Sequence, residues 1–452
     1  MVRKNTNTRG IKSFTEHPSP IPDNCIYGIA FDIGTTTIVG SLVDLENCKE
    51  KKSAFLPNPQ TRWGKDVLLR ITAVIDKPDT LKTLQKEVVN ACNNIIKTLA
   101  DPEDIGIAAV AGNPAMEHLF LGISPAPLAK VPYKPAFKEA KRIKPEEIGI
   151  NINPKGSVYA FPLVGGFVGG DTVAGILSTG IHKSKNSCLL IDIGTNNETV
   201  IGSQKGLFAA STAAGPAFEG GTIKHGMIAK DGAIQGVDII DDKVILYVIG
   251  NKIPEGICGS GVIDCIAKLL DAGIIDNTGR IKDRDEIEGN LANKIIEPPH
   301  PSLSPLGRGL GRGARGKGQG NEFILYKDAK MEITITQNDV REIQLAKAAI
   351  QAGIKLILKK AGVDPDEIDK VFIAGAFGSN IKKESLARIG VIEKGWLDRF
   401  VFIGDAALEG VRMALCSNEK GKEAEEIAKN TKYVSLSGSA HFQKEFMKGM
   451  GF

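Results

Sequence analysis

The sequence predicts an α/β fold built twice from one plan, and three observations carry that reading. First, "FDIGTTTIVG" at 31–40 returns, altered, as "IDIGTNNETVIG" at 191–202. Second, each copy belongs to a run of three short strands: "IYGIAFDIG", "TIVGSLVDL" and "KKSAFL" in the first, "CLLIDIG", "ETVIGS" and "LFAAST" in the second. A meander repeated at corresponding places is an internal duplication, which outweighs either motif alone. Third, strand, glycine turn and helix units follow each meander, and strands mixed with crossover helices argue for α/β layers.

Taken in order, residues 1–24, with Pro18, Pro20 and Pro22 near their end, read as a flexible leader. The Gly34–Thr37 turn joins the first two strands. Leu81, Leu84, Val88, Cys92, Ile95, Ile96 and Leu99 recur at helical spacing, so a helix is expected over about 80–99. "IGIAAVAGNPAMEHLFLG" (105–122) reads as strand, turn and helix, and "GICGSGVIDCIAKLLDAG" (256–273) puts a Gly-Ser-Gly turn before an amphipathic helix. A long helix follows at about 339–361, with Asp339 and Glu342 as its capping box and Gly362 as its stop. "KVFIAGAFGSNI" (370–381) and "RFVFIGDAALEGVRMAL" (399–415) are two more strand, turn and helix units. The expected division is a first lobe over 25–155 and a second over 156–452, interrupted by a Gly/Arg-rich insert at 298–320. That insert has no periodicity and little apolar content, and is expected to be disordered.

The chain has 452 residues, 42% apolar and 24% charged, which is the composition of a soluble globular protein of two or three domains. It has no apolar run long enough to cross a bilayer and no signal-peptide pattern at its start, so a cytoplasmic protein without a membrane partner is expected. Its seven cysteines are scattered, with no C-x-x-C pair and no iron–sulfur spacing, and its six histidines show no H-x3-H pair. Net charge is +4, but Arg308, Arg312, Arg315 and Lys317 of the insert account for it, which leaves little support for nucleic-acid binding. Gly311, Gly313 and Gly316 satisfy G-x-G-x-x-G, yet no strand precedes them and no helix follows, so the dinucleotide reading fails on context.

There is no G-x4-G-K-[ST] in the chain, but a β-turn can bind phosphate as a P-loop does. Glycine lets the backbone approach closely, successive N–H groups form an anion-binding concavity, and hydroxyls add donors. In the first turn these are Gly34, Thr35, Thr36 and Thr37; in the second, Gly194, Thr195, Asn196 and Asn197. Asp32 and Asp192 end the two strands as hard oxygen donors suited to Mg²⁺, directly or through water. For one copy alone, a carboxylate that merely accepts turn hydrogen bonds is the favoured reading; two corresponding copies weaken it sharply. The turn Gly375, Ala376, Phe377 and Gly378 offers a flat, small-residue surface for adenine or ribose. Asp171 in "VGGDT" and Glu198 are further carboxylates whose alternatives are a helix N-cap and a strand surface. Asn113 and Glu117 stand between a cleft role and a turn or helix-surface role.

That order of motifs resembles the actin-like ATPase superfamily, a duplicated ribonuclease H-like fold of two lobes around a nucleotide cleft. More specifically, the chain resembles the reductive activators of corrinoid proteins, the RACo-type ATPases. The likeness rests on "DIGTTT", "NPQTRWGKDVLLRI" (58–71), "AGNPAMEHLFLG" (111–122), "FPLVGGFVGGDTVAGIL" (161–177), "LLIDIGTNNE" (189–198), "AAGPAFEGG" (213–221), "GICGSGVID" (256–264), "ITQNDVREIQLAKAAI" (335–350), "IAGAFGSNI" (373–381) and "YVSLSGSAHFQKEFMKGMGF" (433–452). The resemblance implies bound ATP and Mg²⁺, a dimer, and a catalytic or water-positioning role for Asp171 beside Asp32 and Asp192. It also implies a corrinoid protein or corrinoid methyltransferase subunit as partner, whose Co(II) is reduced to Co(I) with the help of ATP. In that family a ferredoxin-like [2Fe–2S] domain precedes the ATPase portion. This sequence starts almost at the ATPase portion and lacks cluster cysteines, so no iron–sulfur cluster and a separate ferredoxin-type electron donor are expected. A small-molecule kinase and an ATP-dependent assembly module remain alternatives at this point.

Overall fold

The computed structural model describes Pro22, residues 25–298, 320–375, 381–436 and 438–452. Pro22 apart, most of the leader at 1–24, most of the insert at 298–320, and Ala376, Phe377 and Gly378 lie outside those residues. The described chain divides into two compact units. One runs to Gly180 and takes back Ala407–Thr431; the other holds Ile181–Ala406 and Lys432–Phe452. The boundary expected at 155/156 therefore falls elsewhere. Ser157–Ala160 pairs in parallel with Ile107–Val110, which keeps that strand in the first unit.

The first unit opens with the predicted meander, β1 (Tyr27–Ile33), β2 (Thr37–Asp44) and β3 (Lys49–Pro57). Helices α1 (Val67–Asp76) and α2 (Thr80–Leu99) follow, the latter with the bounds its apolar spacing predicts. Next come β4 (Ile105–Gly112), α3 (Pro114–Leu121), β5 (Lys141–Ile143), the one-turn α4 (Pro145–Ile148), β6 (Ser157–Ala160) and α5 (Gly170–Thr179). The strands form one sheet in the order β3-β2-β1-β4-β6-β5. Phe31, Ile29 and Ile33 of β1 pack with Leu84, Val88, Cys92 and Ile95 of α2 in an apolar core. Full burial of side chains of that size stabilises the fold by roughly 1.5–3 kcal/mol each.

The second unit repeats the plan with β7 (Cys188–Ile193), β8 (Asn196–Ser203) and β9 (Gly206–Ala213). It adds one small sheet, β10 (Ala233–Ile240), β11 (Lys243–Val248) and β12 (Gly256–Ile257), and then α6 (Gly259–Asp271). A second small sheet, β13 (Ile295–Ile296), β14 (Glu322–Lys327) and β15 (Glu332–Thr336), leads into the long helix α7 (Gln337–Ala361). The capping box of α7 is Thr336 with Asp339, three residues ahead of the expected Asp339 with Glu342. Thr336 ends an extended strand, and its hydroxyl accepts the Asp339 N–H at 3.0 Å, so the helix starts earlier. Gly362 closes it at φ +67°, as predicted. Next are β16 (Lys370–Ala374), α8 (Lys383–Ile389), β17 (Phe400–Gly404), helices α9 (Ala406–Cys416) and α10 (Asn418–Asn430), β18 (Thr431–Tyr433) and α11 (Ala440–Lys448).

The large sheet of this unit has the order β17-β16-β7-β8-β9-β18. Read outward from each meander, β3-β2-β1-β4-β6 and β9-β8-β7-β16-β17 are the same path. In both, the first strand is antiparallel to the second and parallel to the strand that arrives later. The duplication seen in sequence is thus a duplication of topology. Among the described residues, no helix is long and apolar enough to cross a membrane.

Candidate nucleotide site

The two Asp-Ile-Gly turns occupy corresponding places, each at the carboxyl end of the first strand of its sheet. Their burial alternates identically: Phe31, Ile33 and Thr35 are buried while Asp32, Gly34 and Thr36 are half-exposed, and Ile191, Ile193 and Thr195 match against Asp192, Gly194 and Asn196. Period-two alternation puts the carboxylate, the glycine and one polar residue of each turn on the accessible side.

The first turn is held from behind. The Gly34 N–H donates to Thr37 O at 2.9 Å and closes the turn. A Cβ at residue 34 would lie 2.8 Å from that same oxygen, so only glycine fits. Three consecutive carbonyls are then taken by two residues. Asn58 donates its side-chain amide to Gly34 O at 2.9 Å and its backbone N–H to Thr36 O at 2.7 Å. Arg70 donates Nη2 to Thr35 O at 2.5 Å. A trans peptide points its N–H opposite to its C=O, so fixing these carbonyls turns the N–H groups of Thr35, Thr36 and Thr37 the other way. Successive N–H groups arranged like this form an anion-binding concavity.

Arg70 is fully buried, with its other N–H groups on Gly64 O, Gln60 Oε1 and the Met116 sulfur at 3.0, 3.3 and 3.2 Å. Burial lowers its pKa to about 10, so it stays cationic at neutral pH and places a positive charge behind the turn. Asn58, Gln60 and Arg70 are site residues that sequence reasoning did not assign. The available signal was Arg70, the one charged residue in the apolar run 67–75, where an unexplained cation needs a purpose.

Asn113, at the end of β4, combines two roles. It is the N-cap of α3, accepting the Met116 N–H at 3.1 Å, and it donates Nδ2 to Thr35 Oγ1 at 3.0 Å. The Thr35 hydroxyl is thereby engaged inside the protein, and Thr35 is only 5% exposed. Asp171 is the second residue of α5, whose N-cap is Gly169, so the N-cap alternative for Asp171 is set aside. Its Oδ1 accepts the Thr172 N–H at 2.6 Å, and burial raises its pKa to about 6.

The second turn has a different electrostatic setting. Thr195 donates its hydroxyl to both Glu219 oxygens, at 3.2 and 3.1 Å, which brings the "EGG" loop against the turn. Glu198 is 7% exposed and accepts Ser211 Oγ at 2.9 Å, so it is not a surface residue of its strand. Asp192 and Glu198 are directly opposite in the β7–β8 register and share a face. This turn therefore carries carboxylates where the first carries a guanidinium. Asn197 is fully buried opposite Ile193 and Thr212, and neither the oxygen nor the nitrogen of its side-chain amide has a hydrogen-bond partner among the described residues. Of the adenosine turn, Gly375 is described. Ala374 pairs with Asp192, and the Gly375 N–H donates to Gly404 O at 3.1 Å, so this strand end stands level with the second carboxylate.

Two sheets of one topology, with glycine turns and carboxylates at the ends of corresponding strands, define the actin-like (ASKHA) fold. A family model described as the RACo middle region matches residues 27–184. Another, the C-terminal ASKHA domain of RACo, matches residues 186–297 and 310–452. The chain belongs to the RACo family, the reductive activators of corrinoid proteins. It is similar to the corrinoid activation enzyme RamQ of Eubacterium limosum, 34% identical over 443 residues that cover 96% of this chain and 72% of that protein. It is 25% identical, over 89% of this chain and 72% of the relative, to the [Co(II) methylated amine-specific corrinoid protein] reductase of Methanosarcina barkeri. The solved structure of a reductive activator for a corrinoid, iron-sulfur protein superposes with a TM-score of 0.85 and 37% identity, covering 95% of this chain. This chain spans 66% of that structure's length.

Proposed function

We propose that this chain binds and hydrolyses Mg-ATP and uses that turnover to assist the reduction of a partner's corrinoid cobalt from Co(II) to Co(I). The observation that supports the reading is the first turn, whose three consecutive carbonyls are held by Asn58 and Arg70, the arrangement that would leave its N–H groups for a phosphate. Gly34 to Thr37 of the first turn, and Gly194, Thr195, Asn196 and Asn197 of the second, would serve as phosphate contacts. Gly375 and the residues after it would serve the adenosine. Asp32 and Asp192 suit Mg²⁺ by donor chemistry, since both are half-exposed carboxylates at strand ends. Bound Mg²⁺ would neutralise charge on the β- and γ-phosphates. Arg70 favours phosphate at the first turn, and the carboxylates favour the metal at the second.

Asp171 would take a proton from the attacking water as its oxygen bonds to the γ-phosphorus. The bond from phosphorus to the β–γ bridging oxygen breaks, and its electron pair leaves with ADP. A carboxylate whose pKa lies near 6 is ionised at neutral pH and still basic enough to accept that proton. The partner in this reading is a corrinoid protein or corrinoid methyltransferase subunit. Electrons come from a separate ferredoxin-type donor, and the chain works as a cytoplasmic homodimer. The chain, a Co(II)-corrinoid partner, reduced ferredoxin and Mg-ATP should together yield the absorbance of Co(I). ATP turnover without Co(I) across several cognate partners would sink the corrinoid assignment, and sedimentation as a monomer would remove the dimer.

A further inference from the structure

We propose that Cys48 and Cys416 are a thiol–disulfide exchange site: low-molecular-weight disulfides oxidise the pair to an internal Cys48–Cys416 bridge that clamps the end of α9 to the β2–β3 turn. The site is independent of the nucleotide reading and lies within the first unit, which takes back Ala407–Thr431. Far apart in sequence, the two thiols share a hydrogen bond. Neighbouring contacts fix that meeting. Leu415 and Leu45 come together over Gly28, where an added Cβ would lie 2.7 Å from the one and 3.0 Å from the other. Arg412 Nη1 lies 3.6 Å from Glu50 Oε2, an oxygen that also accepts Ser41 Oγ at 2.7 Å. The sulfurs therefore meet inside a packed corner. Cys48 closes the β2–β3 turn: its N–H donates to Asp44 O at 2.8 Å and its φ is +57°. Glycine and asparagine fill that left-handed region at least cost, and the side chains of Asp44 and Asn47 already make the turn's hydrogen bonds. The backbone thus has no use for a thiol at 48.

All seven cysteines are free thiols; Cys92, Cys188, Cys258 and Cys265 are buried, whereas Cys48 is exposed and Cys416 half-buried. Access therefore orders the steps. The Cys48 thiolate attacks one sulfur of a small disulfide, whose S–S bond breaks; one half leaves as a thiolate and takes up a proton, and Cys48 keeps the other half as a mixed disulfide. Cys416 then loses its proton and attacks Cys48 Sγ, expelling the second half as a thiol. Two protein thiols are oxidised and one small disulfide is reduced to two thiols. Burial, then the hydrogen bond and the charge of Cys48, raise the pKa of Cys416, and Arg412 opposes them. Modifying Cys48 removes its two contributions, so Cys416 ionises more readily at the moment it must attack. An incoming thiol can re-enter at the exposed Cys48 and reverse the bridge. The consequence is mechanical. Tyr159 Oη donates to Gly421 O at 3.3 Å and Arg142 pairs with Glu425 at 3.2 Å, which anchors α10. A bridge at Cys416 adds a covalent anchor at the corner between α9 and α10 and closes a loop of most of the chain.

The test exposes wild type, Cys48→Ser and Cys416→Ala to oxidised glutathione, quenches with acid, and alkylates the denatured chains for mass spectrometry. Reduced wild type should take seven alkyl groups. The oxidised chain should take two fewer and yield a linked peptide containing Cys48 and Cys416, which dithiothreitol removes. Cys416→Ala should stop at one glutathione on Cys48, and Cys48→Ser should keep every remaining thiol. Scanning calorimetry should show Tm raised by about 5 °C or more in the bridged wild type and unmoved by the same treatment in both variants. Wild type that keeps all its thiols, or that stops at glutathione on Cys48, overturns the proposal. A linked peptide without a rise in Tm overturns the clamp. Cys48→Ser changes an exposed turn residue, so the comparison stays decisive even where Cys416→Ala fails to fold.

Discussion

Arg70→Met removes the cation behind the first turn while nearly preserving volume, and the cost can be worked from its contacts. Thr35 O and Gly64 O lose their donors, and buried orphan acceptors cost about 1–3 kcal/mol each. Gln60 Oε1 is a third acceptor that loses its Arg70 donor. Against this stands the desolvation of a guanidinium whose hydrogen bonds all go to neutral atoms, a penalty of several kcal/mol that the variant no longer bears. The net is a destabilisation of about 2–4 kcal/mol, or roughly 5–12 °C in Tm for a unit of this size. The turn loses more than the fold. Freeing one residue of the turn adds about 1–2 kcal/mol of ordering to nucleotide binding, roughly 5- to 30-fold in Kd. Arg70→Lys should recover only part of both effects, since a single ammonium cannot reach acceptors set around a planar fork. Scanning calorimetry with and without Mg-ATP, and titration of ATP into each variant, read these quantities. A Tm within about 2 °C of wild type together with an unchanged ATP affinity would refute the bracing argument.

Asp32→Asn and Asp192→Asn should each abolish Mg-dependent ATP turnover while leaving the circular dichroism spectrum and Tm near wild type; full ATPase in both variants would remove the two-turn reading. His118 is fully buried, accepts the Ala136 N–H on Nε2 at 2.9 Å and has its pKa lowered by burial to about 4 from 6.5. The unfolded chain therefore binds the extra proton, and stability present above pH 6.5 should fall as pH drops toward 4, by about 3 kcal/mol over that window. Urea midpoints measured across it should show the loss in wild type and a flatter profile in His118→Gln. Deleting Met450–Phe452 removes one of the two acceptors of Gln344 Nε2 (Met450 O, 2.6 Å; Thr278 O stays) and the acceptor of the buried Lys347 ammonium (Gly451 O). Burial already lowers Lys347 to about 8, so stranding it should cost about 2 kcal/mol or more, and Lys347→Met in the shortened chain should restore part of the lost Tm.

The strand meanders, α2 and the strand, turn and helix units were legible because each is a local pattern: alternation for strands, 3.6-residue spacing for helices, glycine at the turns. The capping of α7 was misread by three residues because Asp339 looks like a cap from sequence, whereas it is the capping-box partner of Thr336. The unit boundary was misread because Ser157–Ala160 is a strand whose partner, β4, lies some fifty residues earlier. Asn197 sits in the second turn by sequence, but the β7–β8 register puts it opposite Ile193, facing the core.

By itself the sequence determined that this protein contains one device twice, since residue identity and spacing alone encode an Asp-Ile-Gly turn after an apolar strand. It also named the side chains that the proposed function sets against phosphate and metal. Only the tertiary structure decided what holds those turns. Asn58 and Arg70 reach Gly34, Thr35 and Thr36 across 22 to 35 residues of chain, and Glu117 meets Gly170 across a still longer gap. Those partners answer to no local pattern. Their positions follow from which strands pair and which buried polar atoms must then be satisfied, and that is settled only when the sheets close.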